Sequence, residues 1–380
     1  MDLPYLLYYC ILIFLSYLYW KSNNIKVVSW TFIITFVFFA FRAPVVGADT
    51  WDYVRYLTGE RNFYNYDPRP LEPLFLIYRN TLCTLTNSRL VVMIINTIVT
   101  TIPLYYMIRK YSYNPPLSIL FFCFWGGLMV YFVGLRQILA LSVLYVALIY
   151  WLETKDKYLR KTLLLGSSIF IAYFFHTSTV LYSFIIVICL LPLKLTRITY
   201  ILVILCSAFG GLFLKQVTSL DLFSFVLSME LSSIERLDNY LENTQLNDTM
   251  QLTVLLRLTI VSIVLFAIVE KEKLAHPFCK IFLLSVVLFN FLYSVPMIER
   301  ITNPLYFFGA IALTWIMGNN YKTNSVLRLR VNIFLLLLVL YYMRSEIINL
   351  SNYDLNHEAR MHPYYFIFED YSNHPSIKKF

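Results

Sequence analysis

The chain has 380 residues, of which 59% are hydrophobic and only 14% are charged. Soluble domains carry about 25% charged residues, and a water-soluble fold could not bury this much apolar surface. The net charge of +9 does not indicate a nucleic-acid partner, because the Lys and Arg residues form no dense block and lie in short loops. Composition therefore predicts a polytopic membrane protein whose basic residues report its orientation.

Ten apolar runs, taken in chain order, have nearly the length that a bilayer-spanning helix needs. They are residues 3–20, 27–41, 90–108, 116–133, 135–153, 198–214, 252–269, 277–294, 303–318 and 331–343. Two further segments are ambiguous. Residues 71–86 are short and carry Arg79 and Asn80 near their middle, whereas residues 162–191 are too long for one ordinary span and are interrupted at His176.

The short loops richest in Lys and Arg are expected in the cytoplasm, because positively charged loops stay on that side. These loops contain Lys21 and Lys26; Arg109 and Lys110; Lys155, Lys157, Arg160 and Lys161; Lys194 and Arg197; Lys271 and Lys273; and Lys322, Arg328 and Arg330. All of them face the cytoplasm only if residues 71–86 form a re-entrant or interfacial segment and residues 162–191 form a helical hairpin. The prediction is an all-α polytopic membrane protein with about twelve transmembrane helices and both termini outside.

This topology gives a single transmembrane domain, residues 1–343, with no internal repeat of fixed period. Its main periplasmic loops are residues 42–89 and 215–251, and residues 344–380 form a periplasmic C-terminal tail. The side chains that could carry chemistry are therefore expected at the outer face of the membrane.

The start of the first outer loop is rich in polar and aromatic residues. Arg42 lies at the membrane edge, and Gly47 permits a tight turn. Asp49 is predicted to cap a short helix, on which it shares a face with Asp52 and Tyr53. Carboxylates beside aromatic rings suit a sugar-binding surface; the alternative is a capped interfacial helix that its aromatic residues anchor at the headgroups.

Other charged residues of the outer face lie farther along the chain. Arg136 and Gln137 begin a span, where a charged residue usually faces a cavity or partner, although Arg136 could instead extend its side chain to the interface. His176 lies at the predicted bend, and a lone His among aromatic residues is either functional or structural. Glu299 and Arg300 open on the same side; the alternative for them is a surface ion pair in a loop.

Signatures of soluble enzymes are absent from the sequence, which contains no P-loop, GxGxxG, HExxH or GxSxG motif. A continuous path of Asp, Glu and His residues along the spans is also missing, which argues against a proton-coupled pump. What remains is a one-sided group of arginines, carboxylates and a histidine. Because the arginine fork binds phosphate bidentately, this group suits an enzyme that handles a lipid diphosphate, and neither a metal nor a cofactor is expected.

In their order and spacing, these residues resemble the EpsG/Wzy group of membrane polysaccharide polymerases. The matching residues are Arg42 with Gly47, Ala48, Asp49 and Tyr53; Glu72, Pro73, Leu74 and Phe75; Arg136, Gln137 and Ala140; Phe175, His176 and Ser178; and, more loosely, Arg300 and Tyr306. The resemblance covers residues 30–190 by sequence and the remainder mainly by topology.

The resemblance implies an O-antigen polymerase, which is a multi-pass glycosyltransferase of lipopolysaccharide biosynthesis in the bacterial inner membrane. The donor is a glycan on undecaprenyl diphosphate, and the acceptor is a single lipid-linked repeat unit. The acceptor hydroxyl attacks the anomeric carbon of the donor, and undecaprenyl diphosphate leaves. Membrane lipid and a chain-length regulator are further expected partners, and nucleic acid is not.

On this basis each outer residue has an expected role. Arg42, Arg136 and Arg300 are expected to bind the diphosphate, where arginines stabilise the developing charge without a metal. Either Asp49 or His176 is expected to be the catalytic base, with Asp49 slightly preferred. The residues expected to bind the rest of the substrate are Asp52, Tyr53, Glu72, Gln137 and Glu299.

Three alternatives stay open at the level of sequence. An O-antigen ligase uses the same donor but transfers the glycan to lipid A-core, and composition cannot separate it from a polymerase. A glycan flippase or other transporter should show pseudo-symmetric halves and charges along a central path, and neither is visible. A membrane acyltransferase should place its histidine near the side of its acyl donor.

Overall fold

The computed structural model describes residues 3–47, 49–60, 71–154, 158–193, 195–217, 248–293, 298–351 and 364–370. Regular structure in these ranges is helical, and the one β-type contact among them is an isolated bridge between Arg42 and Phe366. The all-α fold class predicted from the apolar runs is confirmed.

The chain divides into two compact units, which are residues 1–179 with 332–380 (the first unit) and residues 180–331 (the second unit). The helices are α1 (Leu3–Ser22), α2 (Ile25–Ala40), α3 (Thr50–Leu57), α4 (Pro73–Leu85), α5 (Arg89–Tyr111), α6 (Pro115–Phe122), α7 (Leu128–Val133), α8 (Leu135–Glu153), α9 (Tyr158–Phe175), α10 (Thr179–Leu190), α11 (Arg197–Val217), α12 (Asp248–Ile268), α13 (Lys271–Leu274), α14 (Pro277–Leu292), α15 (Ile298–Thr314), α16 (Asn319–Thr323) and α17 (Ser325–Ser351). The segment Cys123–Gly127 joins α6 to α7 through a kink, where the backbone angles of Trp125 and Gly126 are not helical.

Each of the ten apolar runs predicted to span the membrane is helical over most of its described residues. Among the described residues, the segments long and apolar enough to cross a bilayer are Leu3–Ser22, Arg89–Tyr111, Pro115–Val133, Leu135–Glu153, Ile301–Thr323 and Ser325–Ser345. Shorter apolar helices are Ile25–Ala40, Thr179–Leu190, Arg197–Phe213, Val254–Ile268 and Pro277–Leu292. The chain is therefore a multi-pass membrane protein, and the count of about twelve crossings stays a prediction.

The two ambiguous segments are short or interrupted, as the charge distribution requires. Helix α4 has 13 residues, so its length of about 20 Å falls well below the roughly 30 Å of a hydrocarbon core. Helix α9 ends at Phe175 and α10 begins at Thr179, with His176 in the break between them. The length of α4 supports a re-entrant or interfacial segment at residues 71–86, and the predicted interruption at His176 is confirmed.

Local sequence explains why several helices begin where they do. Asn24 accepts a hydrogen bond from the first turn of α2 at 2.9 Å, and Asn114 accepts one from the first turn of α6 at 3.2 Å. Pro73 is the first residue of α4. A backbone N–H at that position would have no partner within the helix, so its absence costs no helical hydrogen bond, and the fixed φ of proline suits the helix. This proline therefore fixes where the backbone of Glu72 enters α4.

Helix α8 is central to the first unit and packs against α5, α7 and α9. Its 19 residues separate Arg136 from Glu153 by about 25 Å or more. At the Glu153 end, Lys110 of α5 forms an ion pair with Glu153 at 2.7 Å, and Lys161 of α9 donates to the Trp151 carbonyl at 3.1 Å. Two loops predicted to be cytoplasmic therefore lie at one end of this unit, and Arg136 lies at the other.

The second unit is built on α11, which packs against α12 and α14, and on the pair of α14 and α15. Gly211 of α11 lies directly against the backbone carbonyl of Asn290, so a side chain at position 211 would collide with it. The Asn290 amide donates to the Ser207 hydroxyl at 3.0 Å, which satisfies a buried polar group between apolar helices.

Candidate functional site

Four side chains meet at the Arg136 end of the first unit. We call them the Glu72 cluster, which consists of Tyr53, Glu72, Arg136 and His176. They come from α3, the residue before α4, the first turn of α8 and the residue after α9. Helix α9 packs against both α8 and α4, so the chain that leaves α8 at its opposite end returns His176 to the level of Arg136.

The two oxygens of the Glu72 carboxylate have different partners. Oε2 accepts a hydrogen bond from Nη1 of Arg136 at 2.8 Å, and Oε1 lies 3.2 Å from Nδ1 of His176. The side chain of Glu72 is 11% exposed, against 19% for Arg136 and 22% for His176. Burial raises the pKa of the Glu72 carboxyl, but the His176 hydrogen bond and the Arg136 charge outweigh it and lower the pKa to about 2. Glu72 is thus an ionised carboxylate at neutral pH.

Tyr53 holds the guanidinium of Arg136 at a second point. Nε of Arg136 donates to the Tyr53 hydroxyl at 2.8 Å. The Tyr53 ring packs edge-on against Phe75, and both rings belong to a buried apolar cluster that includes Tyr56 and Leu139. Burial raises the pKa of the Tyr53 hydroxyl, which therefore remains protonated at neutral pH. The two hydrogen bonds, to Tyr53 and Glu72, and the packing of Tyr53 in this buried apolar cluster fix the orientation of the guanidinium.

The cluster combines a fixed cation, a partly exposed imidazole and a carboxylate that touches both. Tyr53 and Glu72 use two of the five N–H groups of Arg136, and the others have no partner among the described residues. Those N–H groups can donate to a phosphate, and the second ring nitrogen of His176 can exchange a proton. Within the described ranges, no three His, Cys, Asp or Glu side chains group closely enough to hold a metal ion.

Asp49 lies at the start of α3 without the capping role predicted for it. It occupies the N-cap position, but its carboxylate accepts no capping hydrogen bond from the described residues of the helix. Asp49 is exposed, and its charge contributes to raising the pKa of Tyr53, which places it near the Glu72 cluster. Asp52 is half-buried on the same helix. The structure therefore keeps Asp49 close to the cluster, and the backbone N–H of Tyr53 donates to the Asp49 carbonyl at 3.0 Å.

The turn that precedes α3 depends on Gly47, as the sequence predicts. Gly47 has a φ of 106° and lies directly against the backbone carbonyl of Phe132, so a side chain there would be strained and would collide. The Thr50 hydroxyl donates to the same carbonyl. These contacts of Gly47 and Thr50 with the Phe132 carbonyl hold α3, and with it Tyr53, against the end of α7.

Arg42 is buried apart from the Glu72 cluster and bonds to backbone. It donates to the Phe39 carbonyl at 2.5 Å and to the Tyr131 carbonyl at 3.2 Å, and its guanidinium lies 4.3 Å from the centre of the Phe132 ring. The two carbonyls belong to the last turns of α2 and α7, whose negative dipole ends favour a cation. Burial lowers the pKa of Arg42 to about 10, so it remains charged at neutral pH. The structure thus gives Arg42 two helix C-termini as partners.

The remaining sequence candidates are less fully described. Gln137 is buried in the first turn of α8, next to Arg136. Glu299 and Arg300 lie in the first turn of α15 in the second unit, and their side chains are outside the described residues. Their predicted roles stay predictions.

A contact that the sequence did not reveal joins the C-terminal segment to the chain around Arg42. The backbone N–H of Ala43 donates to the Tyr365 carbonyl at 2.7 Å, beside the bridge between Arg42 and Phe366. Tyr364 is buried and donates to the Phe38 carbonyl at 2.6 Å. The run of aromatic residues at 364–366 is the sequence signal that could have indicated this docking.

The whole chain was compared with known proteins. No curated protein and no solved structure matches it. The model of the EpsG family matches residues 25–366, which include every member of the Glu72 cluster. This membership supports a polymerase type of function in polysaccharide synthesis at a membrane. Because the match extends over most of its length, the chain belongs to the EpsG family.

Proposed function

We propose that the protein is an O-antigen polymerase, which joins undecaprenyl-diphosphate-linked repeat units at the periplasmic face of the inner membrane. Family membership supports the polymerase type of activity. The observation that carries the assignment of a site is the contact of one carboxylate, Glu72, with both Arg136 and His176. A chain-length regulator is a proposed partner.

In the proposed reaction, the acceptor hydroxyl oxygen forms a bond to the anomeric carbon of the donor. The bond between that carbon and the diphosphate oxygen breaks, and undecaprenyl diphosphate leaves with the electron pair. Negative charge therefore grows on the leaving group. The N–H groups of Arg136 that Tyr53 and Glu72 do not use donate to this group, and their fixed orientation lets them act without reorganisation.

His176 takes the proton of the acceptor hydroxyl in this proposal. The sequence slightly favours Asp49 over His176, whereas the contact between His176 and the Glu72 carboxylate, which orients the imidazole ring, supports His176. A positioned general base typically contributes about 10²–10⁴ in rate. The assignment of Arg300 to the diphosphate stays a prediction, whereas the two backbone carbonyls bound to Arg42 support a structural role for that residue.

A deletion strain, analysed by gel electrophoresis of its lipopolysaccharide, tests the proposed function. We expect lipid A-core that carries a single repeat unit, with the ladder of longer chains lost. Wild-type protein should restore the ladder, whereas His176→Ala and Arg136→Lys, expressed at equal level, should not. Core without any repeat unit would indicate a ligase or a flippase, and a complete ladder in the deletion strain would refute the proposal.

A further inference from the structure

We propose that Glu72 is a positioning residue, which holds His176 in the tautomer with its proton on Nδ1 and holds Arg136 through its other oxygen. This inference rests on the proposed function. It assigns the acceptor proton to one atom, Nε2 of His176, and it replaces the substrate-binding role that the sequence suggested for Glu72.

The tautomer follows from the chemistry of the two groups. An ionised carboxylate can only accept hydrogen bonds, so the contact of 3.2 Å between Oε1 of Glu72 and Nδ1 of His176 requires a proton on Nδ1. In a neutral imidazole the lone pair then lies on Nε2. Glu72 is ionised at neutral pH, as its pKa of about 2 indicates. A neutral His176 in this contact is therefore a base through Nε2 alone.

The position of Glu72 explains why both of its oxygens are available. It precedes Pro73 at the N-cap of α4, and its side chain accepts no capping bond from the described residues of that helix. Proline contributes no N–H at the first helical position. One oxygen is left for His176 and the other for Arg136, so a single side chain sets the base and the cation in one fixed relation.

Glu72→Gln removes this arrangement with little change in shape. A glutamine offers one carbonyl oxygen and one amino group, so either His176 or Arg136 must face a donor in place of an acceptor. If the amino group faces His176, the ring turns to the tautomer with its proton on Nε2 and loses its basic atom. We expect kcat to fall by about 10²–10⁴, with a much smaller change in KM for the lipid-linked repeat unit.

The matched control is Glu60→Gln. Glu60 is also an arginine-bonded glutamate of the first outer loop, and it accepts from Nε and Nη2 of Arg89 at 2.8 Å and 2.5 Å. It is exposed and outside the Glu72 cluster. This variant should keep the wild-type kcat, which separates the loss of a particular carboxylate from the loss of any carboxylate in this loop.

The tautomer is measured directly in the wild-type protein, so the test does not depend on the folding of a variant. Nitrogen-15 NMR of histidine-labelled protein in detergent, with the His176 signal assigned by comparison with His176→Gln, should show the proton on Nδ1. A proton on Nε2 in neutral His176 would overturn the inference, as would a wild-type kcat for Glu72→Gln. If His176→Ala and Arg136→Lys keep full activity, the proposed function of the site fails; if they lose it while Glu72→Gln does not, only this inference fails.

Discussion

Arg136→Lys removes the fork of the guanidinium and keeps the positive charge. Arg136 makes two hydrogen bonds of 2.8 Å, one from Nε to the Tyr53 hydroxyl and one from Nη1 to Glu72, and its other N–H groups are proposed to bind substrate. A single ammonium cannot reproduce this fork, because its three donors radiate from one atom. A hydrogen bond to a charged group contributes about 1.5–3 kcal/mol. Loss of one such bond in the transition state therefore predicts a rate reduced about 10- to 150-fold.

The assay is the initial rate of chain extension by purified protein in detergent, with lipid-linked repeat units as substrate. Each variant is first checked for a wild-type melting temperature, so that a lower rate reports the site and not the folded fraction. The matched control is Arg89→Lys, which removes a similar fork on Glu60 outside the Glu72 cluster. We expect the control to retain the wild-type rate.

A wild-type rate for Arg136→Lys would contradict this role of Arg136, because it would mean that the fork makes no contact needed in the transition state. Equal losses in Arg136→Lys and Arg89→Lys would also contradict it. Because both variants keep the positive charge, such a result would assign the effect to the loss of any arginine fork in this part of the chain, and not to the Glu72 cluster.

Substitutions of Arg42 and Asp49, and reporter fusions at three positions, test other parts of the structure. Arg42→Lys should lower the free energy of unfolding by about 1.5–3 kcal/mol, because one ammonium cannot cap both helix C-termini; an unchanged melting temperature would contradict this. Asp49→Asn should slow chain extension less than about tenfold, since the proposed base is His176. Abolished extension with a normal protein level would instead assign the role of the base to Asp49. Reporter fusions at positions 110 and 158 should be cytoplasmic and a fusion at position 60 periplasmic, because the basic loops are expected in the cytoplasm. A periplasmic signal at position 158 would contradict the predicted topology.

The helices could be predicted from the sequence because apolar length and charge placement are local properties. The weak hydropathy of residues 71–86 and the polar interruption at His176 were enough to separate a short helix and a break from ordinary spans. The turn at Gly47 could also be predicted, since glycine adopts a positive φ more readily than any other residue. By contrast, the Asp49 carboxylate accepts no capping hydrogen bond from the described residues of α3, so this prediction was wrong.

The site could be predicted only in part. The sequence placed Arg136, Glu72 and His176 on one face of the membrane, but which of them touch depends on how α4 and α9 pack against α8. For the same reason it grouped Arg42 with the other arginines, whereas packing turns this side chain towards two helix ends. The docking of Tyr364 on Phe38 joins residues 326 positions apart, and no local pattern specifies a pairing at that separation.

We propose that this chain itself joins lipid-linked repeat units. The most direct measurement is the incubation of the purified wild-type protein with undecaprenyl-diphosphate-linked repeat units alone, followed by quantification of glycan length and of released undecaprenyl diphosphate. We expect longer lipid-linked glycans and one undecaprenyl diphosphate released for each new linkage, with both lost in His176→Ala. Unchanged substrate, or transfer of the glycan only when lipid A-core is added, would contradict it.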